Sequence, residues 1–168
     1  DKNCSSQNKT LRLITIGKFE KRKNFILLLK ALLLIKEKLP LFRLEIIGEV
    51  SKKRHFEYYN EVKKYILKNK LDNIVNINMN IPYNEMHNFY SKSDINILPA
   101  TNEPASVSIL EGMGYGLPVI CSSNCGTRFY VEDKINGKVF KDNDFNDLSR
   151  KILEIISSNK LDNLKSKT

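Results

Sequence analysis

Short β-branched runs alternate with longer segments of helical spacing along almost the whole chain, and no other feature restricts its fold so sharply. "LRLITI" at 11–16 closes on Gly17, and "FRLEIIG" at 42–48 closes on Gly48. "NIVNIN" at 73–78, "DINILP" at 94–99 and "PVICS" at 118–122 repeat the pattern. Helical stretches fall between them at 24–40, 55–71, 84–93 and 106–116, and a last one runs over 144–157. Asn24 stands at the cap position of the first and Pro40 stops it, while the second repeats Phe56, Tyr59, Val62 and Ile66 at helical spacing. The stretch 129–140, "FYVEDKINGKVF", reads as a short strand or turn unit. Such alternation means βαβ units, with helices on both faces of a parallel sheet. A chain of 168 residues with no internal repeat is expected to form a single doubly wound, Rossmann-like α/β domain over 11–157.

The flanks read differently. Residues 1–10 are polar and patternless, as in a linker remnant, and 158–168 read as a polar tail. The first residue is Asp1 rather than methionine, which suggests a piece of a longer chain. The longest apolar run, "FILLLKALLLI", has 11 residues and contains Lys30, so it suits a buried helix rather than a membrane span. Cys4, Cys121 and Cys125 have neither disulfide-framework nor metal-ligand spacing and read as reduced thiols of a cytosolic protein. The formal net charge of +9 is open to two readings. It attracts nucleic acid, anionic lipid or phosphorylated small molecules, or it is lysine serving solubility.

In doubly wound folds ligands gather beyond the carboxyl ends of the strands. The first such end, "GKFEKRKN", has Gly17 where backbone must come close to something, and Lys18 and Lys23 around a loop that opens a helix. Two ammonium groups at a helix N-terminus suit a diphosphate; the alternative is a solvated loop. After the fourth strand, Glu103 and Glu111 stand eight positions apart in a small, apolar setting. Glu111 is able to accept hydrogen bonds from two vicinal hydroxyls, or to belong to a capping box with Ser108, although a helix start near Ser106 argues against the box. Glu103 is either a reactive carboxylate or a loop acid. Gly112, Gly114 and Gly116 crowd the helix that follows, where each glycine costs up to about 1 kcal/mol against alanine, so a close approach of backbone is the expected compensation. His55 and His87 read as surface residues. "DND" at 142–144 reads as a helix cap, and no metal site is apparent.

Taken in order, "GKFEKRKN", "LEIIGEV", "FYSKSDINILPATNE", "EPASVSILEGMGYGLPVI" and "INGKVF" resemble the C-terminal half of a family 4 glycosyltransferase with the GT-B architecture, over about 11–156. The resemblance implies a domain that binds a nucleotide diphosphate sugar. Gly17, Lys18 and Lys23 would hold the diphosphate, with Lys18 standing where arginine is more usual. Glu103 would contact the transferred sugar and Glu111 the ribose, with backbone at Ala105, Ser106 and Val107 between them. Met79, Asn80 and Ile81 would flank the base. Lys18, Lys23 and Glu103 would be the catalytic groups. The resemblance further implies retention of configuration, no metal or other cofactor, and an acceptor-binding N-terminal domain absent from this chain. UDP is the nucleotide expected, carrying a hexose or N-acetylhexosamine. The acceptor would be a saccharide or lipid-linked saccharide of bacterial O-antigen, lipopolysaccharide or capsule synthesis, at the inner face of the cytoplasmic membrane. Rival readings are a nucleic-acid-binding module, a sugar-nucleotide epimerase of the same architecture, and a homologue that only binds partners. Dispersed lysines and aromatics at core spacing speak against nucleic acid.

Overall fold

The computed structural model describes residues 10–157; residues 1–9 of the linker remnant, Cys4 among them, and the polar tail lie outside them. Six parallel strands form one sheet, β1 (Leu11–Ile16), β2 (Phe42–Gly48), β3 (Val75–Met79), β4 (Ile95–Leu98), β5 (Val119–Ser122) and β6 (Gly137–Phe140). Their order is β3-β2-β1-β4-β5-β6. The chain winds outward from β1 in one direction and restarts at β4 in the other, so the crevice between the β1 and β4 ends is where a ligand belongs. The doubly wound expectation holds. The stretch at 129–140 supplies a true strand, β6, in parallel register with β5 from Val119↔Gly137 to Ser122↔Phe140. Any Cβ at Gly137 would stand 2.1 Å from the Val119 carbonyl oxygen, so the strand can begin only with glycine.

Among the described residues, five α-helices flank the sheet, α1 (Phe25–Ile35), α2 (Lys53–Lys68), α3 (His87–Tyr90), α4 (Val107–Gly114) and α5 (Phe145–Ser157). One face of the sheet (Leu13, Leu44, Ile46, Ile95, Ile97) packs against Leu28 and Leu32 of α1, Val62 and Ile66 of α2, and Leu148 and Ile152 of α5. Each fully buried leucine or isoleucine contributes about 1.5–3 kcal/mol, and this layer is the main source of stability. The other face is covered more thinly, by Ile14, Ile47, Met86, Tyr90 and Leu117 in one cluster and by Leu98, Ile109, Val119 and Cys121 in another.

Three local expectations are corrected. The inward face of α2 is His55, Tyr58, Val62 and Ile66, whereas Phe56 is exposed. His55 is therefore a buried residue, not a surface one, because the helix starts at Lys53 and turns its imidazole under the first turn. Asn24 does stand at the N-terminus of α1, but it acts through its left-handed backbone (φ 54°) rather than by capping with its side chain, whose amide donates to Asn143. The glycines of α4 divide the work unequally. At Gly112 a Cβ would meet the Asn96 amide at 2.4 Å, Gly116 (φ 71°) closes the helix with Leu117 N–H donating to the Gly112 carbonyl, and Gly114 has open space around it.

Candidate functional site

The loop after β1 is held by backbone and by one ring. Gly17 N–H donates to the Ile47 carbonyl and Phe19 N–H to the Glu49 carbonyl, which carries the β1–β2 pairing past the strand ends. Phe19 is fully buried, edge-on to Phe25 and Tyr59 at 5.2 and 5.4 Å. A single 3-10 turn at Lys21–Lys23 then leads into α1. Gly17 makes room for this chain itself, since a Cβ there would stand 2.9 Å from the stem of Lys23.

Lys23 and Glu103 meet as a buried ion pair. Arg22 joins it, donating from Nη1 to Glu103 Oε2 at 2.6 Å and from Nε to Glu20 Oε2 at 2.9 Å. Behind Arg22, His55 Nε2 lies 3.4 Å from Glu20 Oε1, and its Nδ1 accepts from the Ser51 N–H. Burial pushes the Glu20 carboxyl upward, but hydrogen bonds from Arg22 and Arg54 and the adjacent His55 imidazole outweigh it and hold the group below the usual carboxylate range. Lys18 does not share the carboxylate that holds Lys23. It is half exposed and pairs with Glu49 at 3.3 Å. The intervening 3-10 turn sends the two lysines to different carboxylates.

Ser106 caps α4, accepting the Ile109 N–H, as the helix start near Ser106 requires. Among the described residues, the N–H groups of Ala105, Val107 and Ser108 at the helix start have no acceptor. One turn further on, Glu111 Oε2 accepts from the Tyr90 hydroxyl at 2.7 Å, and Tyr83 lines the same cavity as this carboxylate. Burial, then Glu111, drives the Tyr90 phenol well above its ordinary pKa, so it stays a proton donor. Tyr115 stacks on Tyr90 at 5.1 Å and fixes its ring.

Gly17, Lys18, Asn80, Ile81, Val107 and Glu111 line one cavity of about 500 Å³ at the switch point. Glu103 opens instead on a neighbouring cavity of about 380 Å³, with Pro104, Asn124, Gly126 and Arg128. Lys23, Ala105 and Ser106 border neither, and Met79 is exposed outside both. Asn80 (φ 55°) is locked to Val50 by hydrogen bonds of 2.8 and 3.2 Å. The loops after β4 and β5 are sewn together, because Glu103 N–H donates to the Asn124 carbonyl and Gly126 N–H to the Glu103 carbonyl. In the DND run, Asp144 does cap α5, accepting from Asn146 and Asp147 N–H at 3.0 Å each. Asp142 has a different task, accepting from the Ser122 and Thr101 hydroxyls and so bracing the same two loops. Cys121 and Cys125 are buried free thiols.

The model of the family described as glycosyl transferases group 1 matches residues 2–167. The chain belongs to this family. It is 28% identical over 120 residues to an uncharacterised glycosyltransferase of Methanocaldococcus jannaschii, covering 71% of this chain and 32% of that protein. It therefore spans about a third of that relative's length. Its fold is that of the C-terminal half of GT-B glycosyltransferases. The C-terminal domain of a group 1 family protein from Francisella tularensis superposes with TM-score 0.79 at 21% identity, covering 94% of this chain and 79% of that one. Anabaena HepE, solved in complex with UDP and glucose, superposes with TM-score 0.83 at 18% identity, covering 94% of this chain and 42% of that one. Arg22 and Tyr90 bond the two candidate carboxylates and Tyr83 lines the cavity, and none of the three stands out in the sequence. The run "KRK" at 21–23 was the available signal for Arg22; no local pattern marks the tyrosines, which reach Glu111 only through the fold.

Proposed function

We propose that this chain is the donor-binding half of a retaining family 4 glycosyltransferase, which moves a hexose or N-acetylhexosamine from a nucleotide diphosphate sugar. The observation that carries the reading is Glu111, held at one oxygen by Tyr90 and bordering a cavity of about 500 Å³ shared with Gly17 and Lys18. That carboxylate suits two ribose hydroxyls, and the cavity beside it suits a base flanked by Asn80 and Ile81. The donors at the start of α4, with Lys18, Lys23 and Arg22, would stabilise negative charge on the diphosphate as the glycosidic bond breaks. Glu103 would face the transferred sugar, and a bound diphosphate would compete with it for Lys23. UDP is the preferred nucleotide, supported by the similar fold of HepE with UDP bound. The transfer would need no metal or other cofactor.

The acceptor would be a saccharide or lipid-linked saccharide of surface polysaccharide synthesis, bound mainly by a further domain. The net charge of +9 supports work in the cytoplasm against an anionic membrane face. Among the described residues, no helix is long and apolar enough to cross that membrane. Calorimetric titration with UDP, GDP and ADP, beside a Glu111→Gln variant, tests the proposal. Saturable binding of one nucleotide that the variant weakens is expected. Binding equal in both proteins would overturn the assignment of Glu111, and binding of none at millimolar concentration would overturn the donor reading.

A further inference from the structure

A second polar cavity, of about 330 Å³, lies at the opposite end of the sheet from Glu111. Strand register creates it. Arg12 of β1 and Arg43 of β2 are Cα partners, so their side chains leave the same face of the sheet side by side. Neighbouring strands are about 4.8 Å apart, and like charges placed opposite one another destabilise a sheet. On this face the buried cluster under Met86 and Tyr90 takes in Ile14, two residues beyond Arg12, and Ile47, four beyond Arg43, and leaves both arginines exposed at an open corner. Lys92, Asn88 and Phe89 form its other wall.

Among the described residues, no carboxylate pairs directly with these cations. Among the described residues, Glu45 is the one carboxylate that lines the cavity, and its two oxygens are occupied by the Asn76 and Asn78 amides at 2.9 and 2.7 Å. Asp94, at the start of the corner, accepts the backbone N–H of Arg12 at 2.9 Å. Arg12, Arg43 and Lys92 form no ion pair with a described residue. Three cations thus face one already engaged carboxylate around a concave site.

We infer that this corner binds a phosphomonoester group. Arg12 and Arg43 present two guanidinium forks, the donor geometry that matches phosphate oxygens bidentately, with Lys92 as a third charge. The Asn88 amide adds a neutral donor, and the Phe89 ring offers an apolar wall for the carbon of the ester. The site lies apart from the donor cavity and does not depend on the reading proposed for it. A soluble sugar or glycerol phosphate and a phospholipid headgroup share this chemistry.

The test uses the full chain labelled with 15N, titrated with glycerol 3-phosphate at constant ionic strength against chloride. Saturable shifts are expected at the amides of Arg12, Arg43, Asn88 and Lys92, with affinity at least about tenfold weaker in an Arg12→Gln/Arg43→Gln double variant, the loss typical of charge-assisted hydrogen bonds. A thermal melt confirms that the variant is folded. Shifts that never saturate, that fall only around Lys18 and Lys23, or that persist in the double variant overturn the site. Flotation with phosphatidic acid vesicles, against phosphatidylcholine alone, separates the sources. Co-flotation that the double variant loses supports a lipid headgroup, whereas glycerol phosphate binding without flotation supports a soluble ester. Binding of neither probe overturns the proposal.

Discussion

Lys23 and Glu103 are 8% and 6% exposed, so removing either one strands a charge in the interior. Breaking a buried ion pair on one side costs about 3–5 kcal/mol where no other partner is at hand. The two sides are unequal here. After Lys23→Met, Arg22 still binds Glu103, and the methionine retains the apolar contact over Gly17, so a loss of about 1–2 kcal/mol is expected. After Glu103→Gln, Arg22 keeps Glu20 but Lys23 has no counter-ion, and about 3 kcal/mol should be lost. The double variant removes both charges together and should recover about 1–2 kcal/mol of the summed loss, the coupling of residues in contact. For a chain of this length each kcal/mol moves Tm by about 2–4 °C, which puts Glu103→Gln roughly 6–12 °C below the wild type. Urea unfolding of the four proteins, with Tm as a second readout, measures the cycle. Additivity within about 0.3 kcal/mol would refute the reasoning, because it would mean that the two charges do not interact in the folded chain.

Three further outcomes follow from the geometry. Gly112→Ala should lose about 1–3 kcal/mol despite its better helix propensity, because the new methyl group must displace the buried Asn96 amide that donates to the Ser108 carbonyl; a Tm equal to or above the wild type would contradict this. Burial pushes the Tyr58 phenol up to about 12, so ionisation favours the unfolded chain once the pH passes the ordinary tyrosine value. Stability should accordingly be complete below about pH 10 and fall between about pH 10 and 12, by an amount on the order of 2–3 kcal/mol that Tyr58→Phe removes from the pH profile; parallel profiles for the two proteins would sink the assignment. Tyr90→Phe frees the Glu111 oxygen and should weaken UDP binding about fivefold or more without a comparable change at Lys18, as read by calorimetry and amide shifts; unchanged affinity would show that the hydroxyl does not orient the carboxylate.

The architecture was legible because each strand is a short apolar run and each helix an amphipathic one, and period alone separates the two. Glu111 was legible as well, since the Ser106 cap and the glycine-closed end of α4 fix its place in the helix. What escaped was set by phase or by distance in sequence. In α2 both Phe56 and His55 fit a helical repeat with Val62 and Ile66, and only packing against Glu20 selects the imidazole. Lys18 and Lys23 stand five apart in a loop, and the direction in which each points depends on a 3-10 turn with no sequence signature of its own. Arg22 and Tyr90 reach their carboxylates across 81 and 21 residues, a relation no local pattern encodes. The strand β6, with four residues and a lysine among them, is too short for its alternation to be distinctive.

The stitching of the loops after β4 and β5 has an engineering consequence. Glu103 lends its amide to Asn124 and its carbonyl to Gly126, and a Cβ on Gly126 would stand 1.8 Å from the Pro104 carbonyl oxygen. Residues 99–106 and 122–127 are therefore a single exchangeable cassette. Transplanting one of them from a relative orphans the backbone groups of the other, so any attempt to redirect the chain toward a different sugar has to move both together.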